Sequence, residues 1–248
     1  MDFASQLKQI EEQAAALRAA AVAAGPAALV PTCPEWTVQH LVRHIARVHG
    51  WALNGLRTAP DAGRPGRPTT PDGWDELLPW WDDTLATFLA ELQTKGPDEP
   101  TWVFSPDVPS TAAFWARRQA HETAIHRLDA EHAHAGSAEA SAVPSLVFDS
   151  EHAADGIAEL LELMFPHVQQ HFPVEREGTV LFHAADAGRA WLVRLVPGAP
   201  PEVGPTDEIE ADAAVVGTAD AVYRAAWRRP STAVVTGDRT LVESLRTP

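Results

Sequence analysis

Residues 121–127, His-Glu-Thr-Ala-Ile-His-Arg, bring two imidazoles and a carboxylate into one short stretch. In the H-E-x-x-H signature of zinc metalloproteases two histidines four apart share one helix face; here the residues four apart are Glu122 and His126. The metal reading therefore rests on a Glu/His pair, which supplies a carboxylate oxygen and an imidazole nitrogen. A catalytic site with an open position needs about one more donor from elsewhere. His44, in the stretch Leu41-Val42-Arg43-His44-Ile45-Ala46-Arg47-Val48, is a candidate. In a helix starting near Thr37, positions 37, 41, 44, 48 and 51 share a side, so His44 falls on an inward stripe with Leu41, Val48 and Trp51. A histidine there is either a hydrogen-bonded core residue or a ligand. Three such donors on two helices form a constellation found in metal-binding bundles.

The elements that must position these residues are legible from apolar periodicity. Phe3, Leu7, Ile10, Ala14, Leu17 and Ala21 mark a first helix, ended by Gly25-Pro26. Thr37 is a candidate N-cap for a second, carried by Val38, Leu41, Ile45, Val48 and Ala52 up to Asn54-Gly55. The stretch 61–71, rich in Gly, Pro and Arg, is a loop. Trp74, Leu78, Trp81, Leu85, Phe88 and Leu92 predict a third helix ending near Gly96-Pro97. A fourth runs from about Thr111 to Ala135, with Trp115, Glu122, His126 and Asp129 near one side and Gly136 as its stop. A fifth helical pattern includes Ala153, Ile157, Leu160, Leu161 and Met164 and ends before Pro166. Beyond Pro173 the texture becomes strand-like: 179–183 and 190–196 flank an Asp186-Ala187-Gly188 turn, and 209–216 offers a further strand. A helix over 218–227, the apolar run 233–235 and a short helix from about Arg239 complete the chain. The expected fold class is α+β in two domains: a four-helix bundle over 1–168 and a smaller α+β domain over 174–248, with the boundary within 166–176.

With 248 residues, 45% of them hydrophobic, the chain can bury a core. Its formal charge of −15 argues against nonspecific binding to nucleic acid or to an anionic membrane, and no basic patch in the sequence escapes this balance. The single cysteine, Cys33, excludes an internal disulfide and a cysteine-based zinc ribbon and fits a reducing cytoplasm. The N-terminal residues lack the basic and apolar regions of a secretory signal, and no stretch is apolar enough to span a bilayer.

Pro31-Thr32-Cys33-Pro34-Glu35-Trp36-Thr37 followed by Leu41-Val42-Arg43-His44-Ile45, together with Arg118-Gln119-Ala120-His121-Glu122-Thr123-Ala124-Ile125-His126-Arg127-Leu128-Asp129-Ala130-Glu131, resembles the mycothiol-dependent maleylpyruvate isomerase family. The resemblance implies a DinB-like metal-binding helical bundle and a C-terminal domain similar to sterol carrier proteins. It implies zinc, or another divalent metal, on His44, Glu122 and His126, and mycothiol as thiol cosubstrate. Mycothiol would then attack a small electrophile: addition to a conjugated double bond permits rotation before the thiol leaves, whereas a transferase retains the adduct. Two alternatives differ in class: a metal-containing small-molecule-binding or regulatory protein without turnover, and a zinc-water hydrolase.

Other residues carry narrower expectations. Asp129, three residues after His126, could hold the second nitrogen of a ligand, anchor Arg127 or form a surface ion pair. His121 lies on another face and is read as a polar or capping contact; His49, five residues after His44, is read as a core residue. Cys33 is read as structural, within the turn before the second helix, and Trp36 as a packing residue at the bundle mouth. The segment 220–230 resembles the family stretch in which a Trp-Gly-Arg-like motif brings an arginine toward the active site. That arginine is Arg228, a catalytic carboxylate clamp by this resemblance, although Ala226 and Trp227 stand where tryptophan and glycine are expected and Trp227 could obstruct a substrate entrance.

Overall fold

The computed structural model describes residues 1–169, 174–206 and 210–245. The chain divides into two compact units, Met1–Ala138 and Glu139–Pro248. The first holds α1 (Phe3–Ala24), α2 (Val38–Leu56), α3 (Trp74–Lys95) and α4 (Ala112–Ala135), the four helices that the apolar spacing predicts. Their ends have local causes. The Asp2 side chain accepts from the Ser5 amide, and Thr37 forms a reciprocal capping box with His40 at the start of α2. Gly136, at φ 65°, stops α4 in the left-handed conformation.

Within this unit α1 lies along α4, and α2 packs on both α3 and α4. The shared core includes Leu17, Val38, Leu41, Ile45, Leu77, Trp81 and Ala130. Close approach of α2 to α4 depends on Gly55, because a Cβ there would lie 2.4 Å from Cζ2 of Trp115. The Trp115 indole is fixed in turn by donating to the Trp102 carbonyl at 2.7 Å, while Thr101 Oγ1 donates to the Gly55 carbonyl at 2.6 Å.

The second unit is built on a five-stranded mixed sheet in the order β3-β2-β1-β4-β5. Strands β1 (Gly178–Ala184) and β2 (Arg189–Leu195) form the expected hairpin, closed by Gly188 at φ 60°. β3 (Glu202–Pro205) adds to β2, an edge strand that periodicity does not reveal. β4 (Ala213–Gly217) runs parallel to β1, and β5 (Val234–Gly237) pairs antiparallel with β4. The expected start of the β4 strand at Ile209 lies outside the described residues. Helices α7 (Ala219–Ala226) and α8 (Arg239–Ser244) fall where the sequence places them.

Two expectations need correction. The first compact unit ends at Ala138, well before the expected boundary, so α5 (Ser150–Glu159) belongs to the second unit. It packs on α7, and buried Asp220 of α7 accepts from the amides of Leu146 and Phe148 while Arg224 donates to the Pro144 carbonyl. These bonds tie the stretch before α5 to the second unit. Nor does the helix stop before Pro166: α5 continues through a π turn at Leu160–Met164 into α6 (Phe165–Gln169). The wider turn changes the bonding register next to the proline, where a ring would otherwise meet the carbonyl four residues back and an amide proton is missing.

Gly55→Ala should lower stability by about 1–3 kcal/mol, since overpacking against Trp115 outweighs the better helix propensity of alanine. Urea unfolding followed by circular dichroism measures this; a stabilised variant would show that Gly55 does not set the α2–α4 spacing.

Candidate metal centre

His44 of α2 and Glu122 and His126 of α4 come together in the first unit, with one ligand atom from each within 4.8 Å of the others. His44 Nε2 lies 3.1 Å and His126 Nε2 3.5 Å from the same oxygen, Glu122 Oε1. Donors bound to one tetrahedral zinc at ~2.0–2.2 Å stand roughly 3.3–3.6 Å apart, so the two contacts to Glu122 suit one small divalent ion. The chemistry of the set also fits, with two imidazoles and one carboxylate from a rigid helix pair. Among the described residues this is the cluster of three or more such donors arranged to hold a metal.

The surroundings fix the charge and aim of each donor. Burial alone would raise the Glu122 carboxyl, but the adjacent Arg118 guanidinium, with hydrogen bonds from His126 and His44, holds it well below the usual range. Arg118 and Glu122 are directly bonded across one helical turn. Asp129 is fully buried and accepts from His126 Nδ1 at 2.8 Å, which directs Nε2 of that ring toward the cluster. Burial disfavours a charged imidazole at His126, yet its bonds to Asp129 and Glu122 push its pKa up to about 9. A metal cation bound at this nitrogen would take the proton's place.

Asp129 is held in turn by the turn before α2. Thr32 Oγ1 donates to its Oδ1 at 2.5 Å, and Cys33 Sγ lies 3.7 Å from its Oδ2. Of the readings open for Asp129, the structure shows the bond to the second nitrogen of His126; Arg127 instead bonds Glu131 and Gln13. Cys33 is a neighbour of this buried carboxylate, as the structural reading expects. Trp36 does more than pack at a mouth, because its ring lies 5.0 Å from that of His44 and 6.0 Å from that of His126. His121 is buried and takes no part in the cluster.

His49 is a core residue with both nitrogens used. Trp81 Nε1 donates to its Nδ1 at 3.0 Å. The Thr123 hydroxyl donates to the Gln119 carbonyl at 2.6 Å, so its oxygen accepts from His49 Nε2 at 2.9 Å. Burial pushes the His49 pKa down to about 3, and Glu122 opposes this only in part. Sequence reasoning missed the Arg118 partnership with Glu122, although their i,i+4 spacing announces it, and missed Thr32, for which no local signal exists.

Arg228 lies in the second unit, just beyond α7. Its amide bonds the Ala225 carbonyl and the Arg229 amide bonds the Arg224 carbonyl, a Schellman closure in which Arg228 takes the left-handed position at φ 56°. Glycine is the usual residue there, so this side chain is kept against a backbone preference. Its Nη2 donates to the carbonyls of Glu243 and Leu245. Trp227 is buried, 4% exposed.

A four-helix unit carrying a His/Glu/His cluster, followed by a unit built on a mixed sheet, defines a class of two-unit proteins with a helical bundle first. The profile of the mycothiol maleylpyruvate isomerase N-terminal domain matches residues 7–131, and that of the corresponding C-terminal domain matches residues 151–244. The chain belongs to the mycothiol maleylpyruvate isomerase family. Among solved structures it is similar to a crystal structure of the mycothiol-dependent maleylpyruvate isomerase, at 13% identity and a TM-score of 0.60 over 100% of this chain and 95% of that one. A histidine-to-alanine variant of that enzyme matches with 14% identity and a TM-score of 0.61, over 100% of this chain and 95% of that chain. No curated protein matches the sequence.

The neutral state of His49 gives a pH test. With a folded pKa of about 3 against 6.5 for the ordinary group, the unfolded chain takes up a proton that the folded chain refuses between these values. His49 therefore costs stability as pH falls below 6.5 and costs nothing above it. In chelator-treated protein, His49→Gln should be less stable than wild type at pH 7.5, and that gap should shrink by about 2–3 kcal/mol at pH 4.5. A gap independent of pH, measured by denaturant unfolding, would show that His49 titrates normally.

Proposed function

We propose that the protein is a zinc-dependent enzyme that uses mycothiol to isomerise a small electrophile or to transfer the thiol to it. The observation that carries this reading is the convergence of His44, Glu122 and His126 in a member of this family. The mycothiol dependence of its structural relatives supports the choice of thiol. A divalent ion held by these residues would act as a Lewis acid and lower the pKa of a thiol brought to it.

The chain's own residues prepare that chemistry. Asp129 retains the Nδ1 proton of His126 and so leaves Nε2 to face the site. Arg118 keeps Glu122 ionised, and the Trp36 ring lies beside the two imidazoles. In isomerisation the thiol sulfur forms a bond to one carbon of a conjugated double bond, rotation follows about the resulting single bond, and expulsion of the thiol restores the double bond. In S-transfer the new carbon–sulfur bond persists. The single cysteine suits a reducing cytoplasm, and no helix of the described residues is long and apolar enough to cross a membrane.

Arg228 is retained as a proposed carboxylate clamp, a role in which it would exchange the Glu243 and Leu245 carbonyls for a substrate carboxylate. Arg228→Lys, which keeps charge but loses the fork, should then raise KM for an acidic electrophile roughly tenfold, with Arg229→Lys as the control. Equal KM values for all three proteins would remove Arg228 from substrate binding.

Titrating the cobalt-substituted protein with mycothiol tests the main reading. A saturable sulfur-to-metal charge-transfer band should appear in the wild type and be absent from Glu122→Ala and His126→Ala. No band at saturating mycothiol would refute the thiol mechanism.

A further inference from the structure

The first unit also holds a groove of about 690 Å³ between α1 and α3, and none of its lining residues belongs to the metal cluster. It exists because one side of the bundle is left unclosed. α1 lies along α4, and α2 packs on α3 and α4, whereas α1 and α3 do not pack on each other. Leu7, Ala14 and Trp81 are buried at the floor of the groove, and Leu85 and Leu89 are half-buried beside them. The exposed apolar residues at its edges are short: Ala4 and Ala15 on α1, Ala86 and Ala90 on α3. Larger apolar side chains at those positions would close the gap, while alanines leave leucine and tryptophan surface open to a ligand.

The two ends of the groove differ. At one, Arg18 reaches across from α1 and donates from Nε and Nη2 to the two carboxylate oxygens of Asp82 on α3, at 2.8 and 2.9 Å. With Arg18 opposite Asp82, the lining runs down α1 to Ala4 while it runs up α3 to Gln93, so the two helices are antiparallel along it. The other end falls where α1 begins at Phe3 and α3 finishes at Lys95, and it opens to solvent there with Lys8 and Gln93 exposed. From Ala4 to Arg18 the helix rises about 21 Å. The lining charges cancel, Lys8 and Arg18 against Glu11 and Asp82, in a protein of formal charge −15. A smaller cavity of about 290 Å³ beside His44 is of the opposite kind, lined by Arg43, Arg47 and Arg67. Arg18 is engaged by both oxygens of Asp82, whereas Lys8 has Glu12 at 3.5 Å with both side chains well exposed, a pairing that a ligand carboxylate can replace at little cost.

We propose that this groove binds a single-chain fatty acid, with its alkyl chain on the floor of leucines and Trp81 and its carboxylate at the open end beside Lys8 and Gln93. An acyl chain fills half of a ~30 Å bilayer core, roughly 15 Å, so chain and head group together match the length of the groove. The volume of the groove also lies within the range of about 300–1,000 Å³ usual for small-molecule sites. The Arg18–Asp82 bridge crosses the far end and would stop a partner helix from running on along the groove, while an alkyl chain ends before it. An ammonium and a side-chain amide are donors suited to a carboxylate. This site is additional to the proposed reaction and does not depend on it.

The test is isothermal titration calorimetry of the full-length protein with dodecanoate, kept below its micelle concentration. Wild type should bind dodecanoate saturably, and octanoate at least about tenfold more weakly, because fewer methylenes are removed from water. Ala86→Trp and Ala90→Phe fill the groove from exposed positions, so they should keep the wild-type circular dichroism and weaken dodecanoate at least about tenfold. Ala23→Phe, exposed on α1 outside the groove, should bind as wild type does. Lys8→Glu should weaken dodecanoate about threefold or more. Glu122→Ala, which removes a donor of the metal cluster, should leave it unchanged. The proposal is overturned if wild type shows no saturable binding, if the Ala86, Ala90 and Lys8 variants bind as wild type does, if octanoate binds as tightly as dodecanoate, or if Glu122→Ala loses as much as Ala86→Trp. Analytical ultracentrifugation adds one further outcome: a wild-type dimer that Ala86→Trp dissociates would give the groove to a second copy of the chain and overturn the proposal as well.

Discussion

Glu122 is a carboxylate on a mostly buried helix face, and a buried carboxylate must be paired or give up its charge. Three neighbours keep it ionised. Arg118 reaches it from one turn earlier on α4, His126 from one turn later, and His44 from across the interface with α2. The anion draws both Nε2 atoms to a single oxygen, and so brings the three candidate donors together. Remove that charge and the two histidines lose the reason for their shared aim.

The arrangement then constrains the packing of the unit. His44 and Glu122 are on different helices, so their 3.1 Å contact requires α2 and α4 to lie close. Gly55 permits this at one end, where a Cβ would meet the Trp115 ring of α4. Further buried polar groups in this unit must also be satisfied. Thr32 reaches Asp129, Asp129 orients His126, and Trp81 with Thr123 fixes His49 as a neutral ring. Each buried polar group here is tied to another element, so the site's geometry and the bundle's packing are one problem.

What was legible in the sequence was local. The three-four spacing of α2 put His44 on one side with Leu41 and Trp51, which are buried while His44 itself is half-buried, and the i,i+4 relation of Glu122 and His126 survived as geometry because helices are rigid rulers. Contacts that depend on chain return were not legible. Thr32 lies 97 residues before Asp129, and nothing near either announces the bond. Net charge concealed the arginines, since a sum over the chain is blind to Arg67 folding back onto the face that carries Arg43 and Arg47. The stop signal at Pro166 failed because a π turn relieves the steric reason for stopping. The role read for Arg228 came from a resemblance, and its backbone conformation at φ 56° and its bonds to the Glu243 and Leu245 carbonyls could not have been read from spacing.

The central claim is that one divalent ion is held by two imidazoles from α2 and α4 and a carboxylate between them. X-ray absorption on chelator-treated protein reconstituted with zinc examines this most directly. The account predicts one tightly held zinc per chain, whose spectrum fits two imidazole nitrogens and a carboxylate oxygen among its ligands, with one imidazole lost in His44→Ala. Failure to retain zinc, or a bound zinc whose ligand set is the same in His44→Ala, Glu122→Ala and His126→Ala as in the wild type, would contradict it.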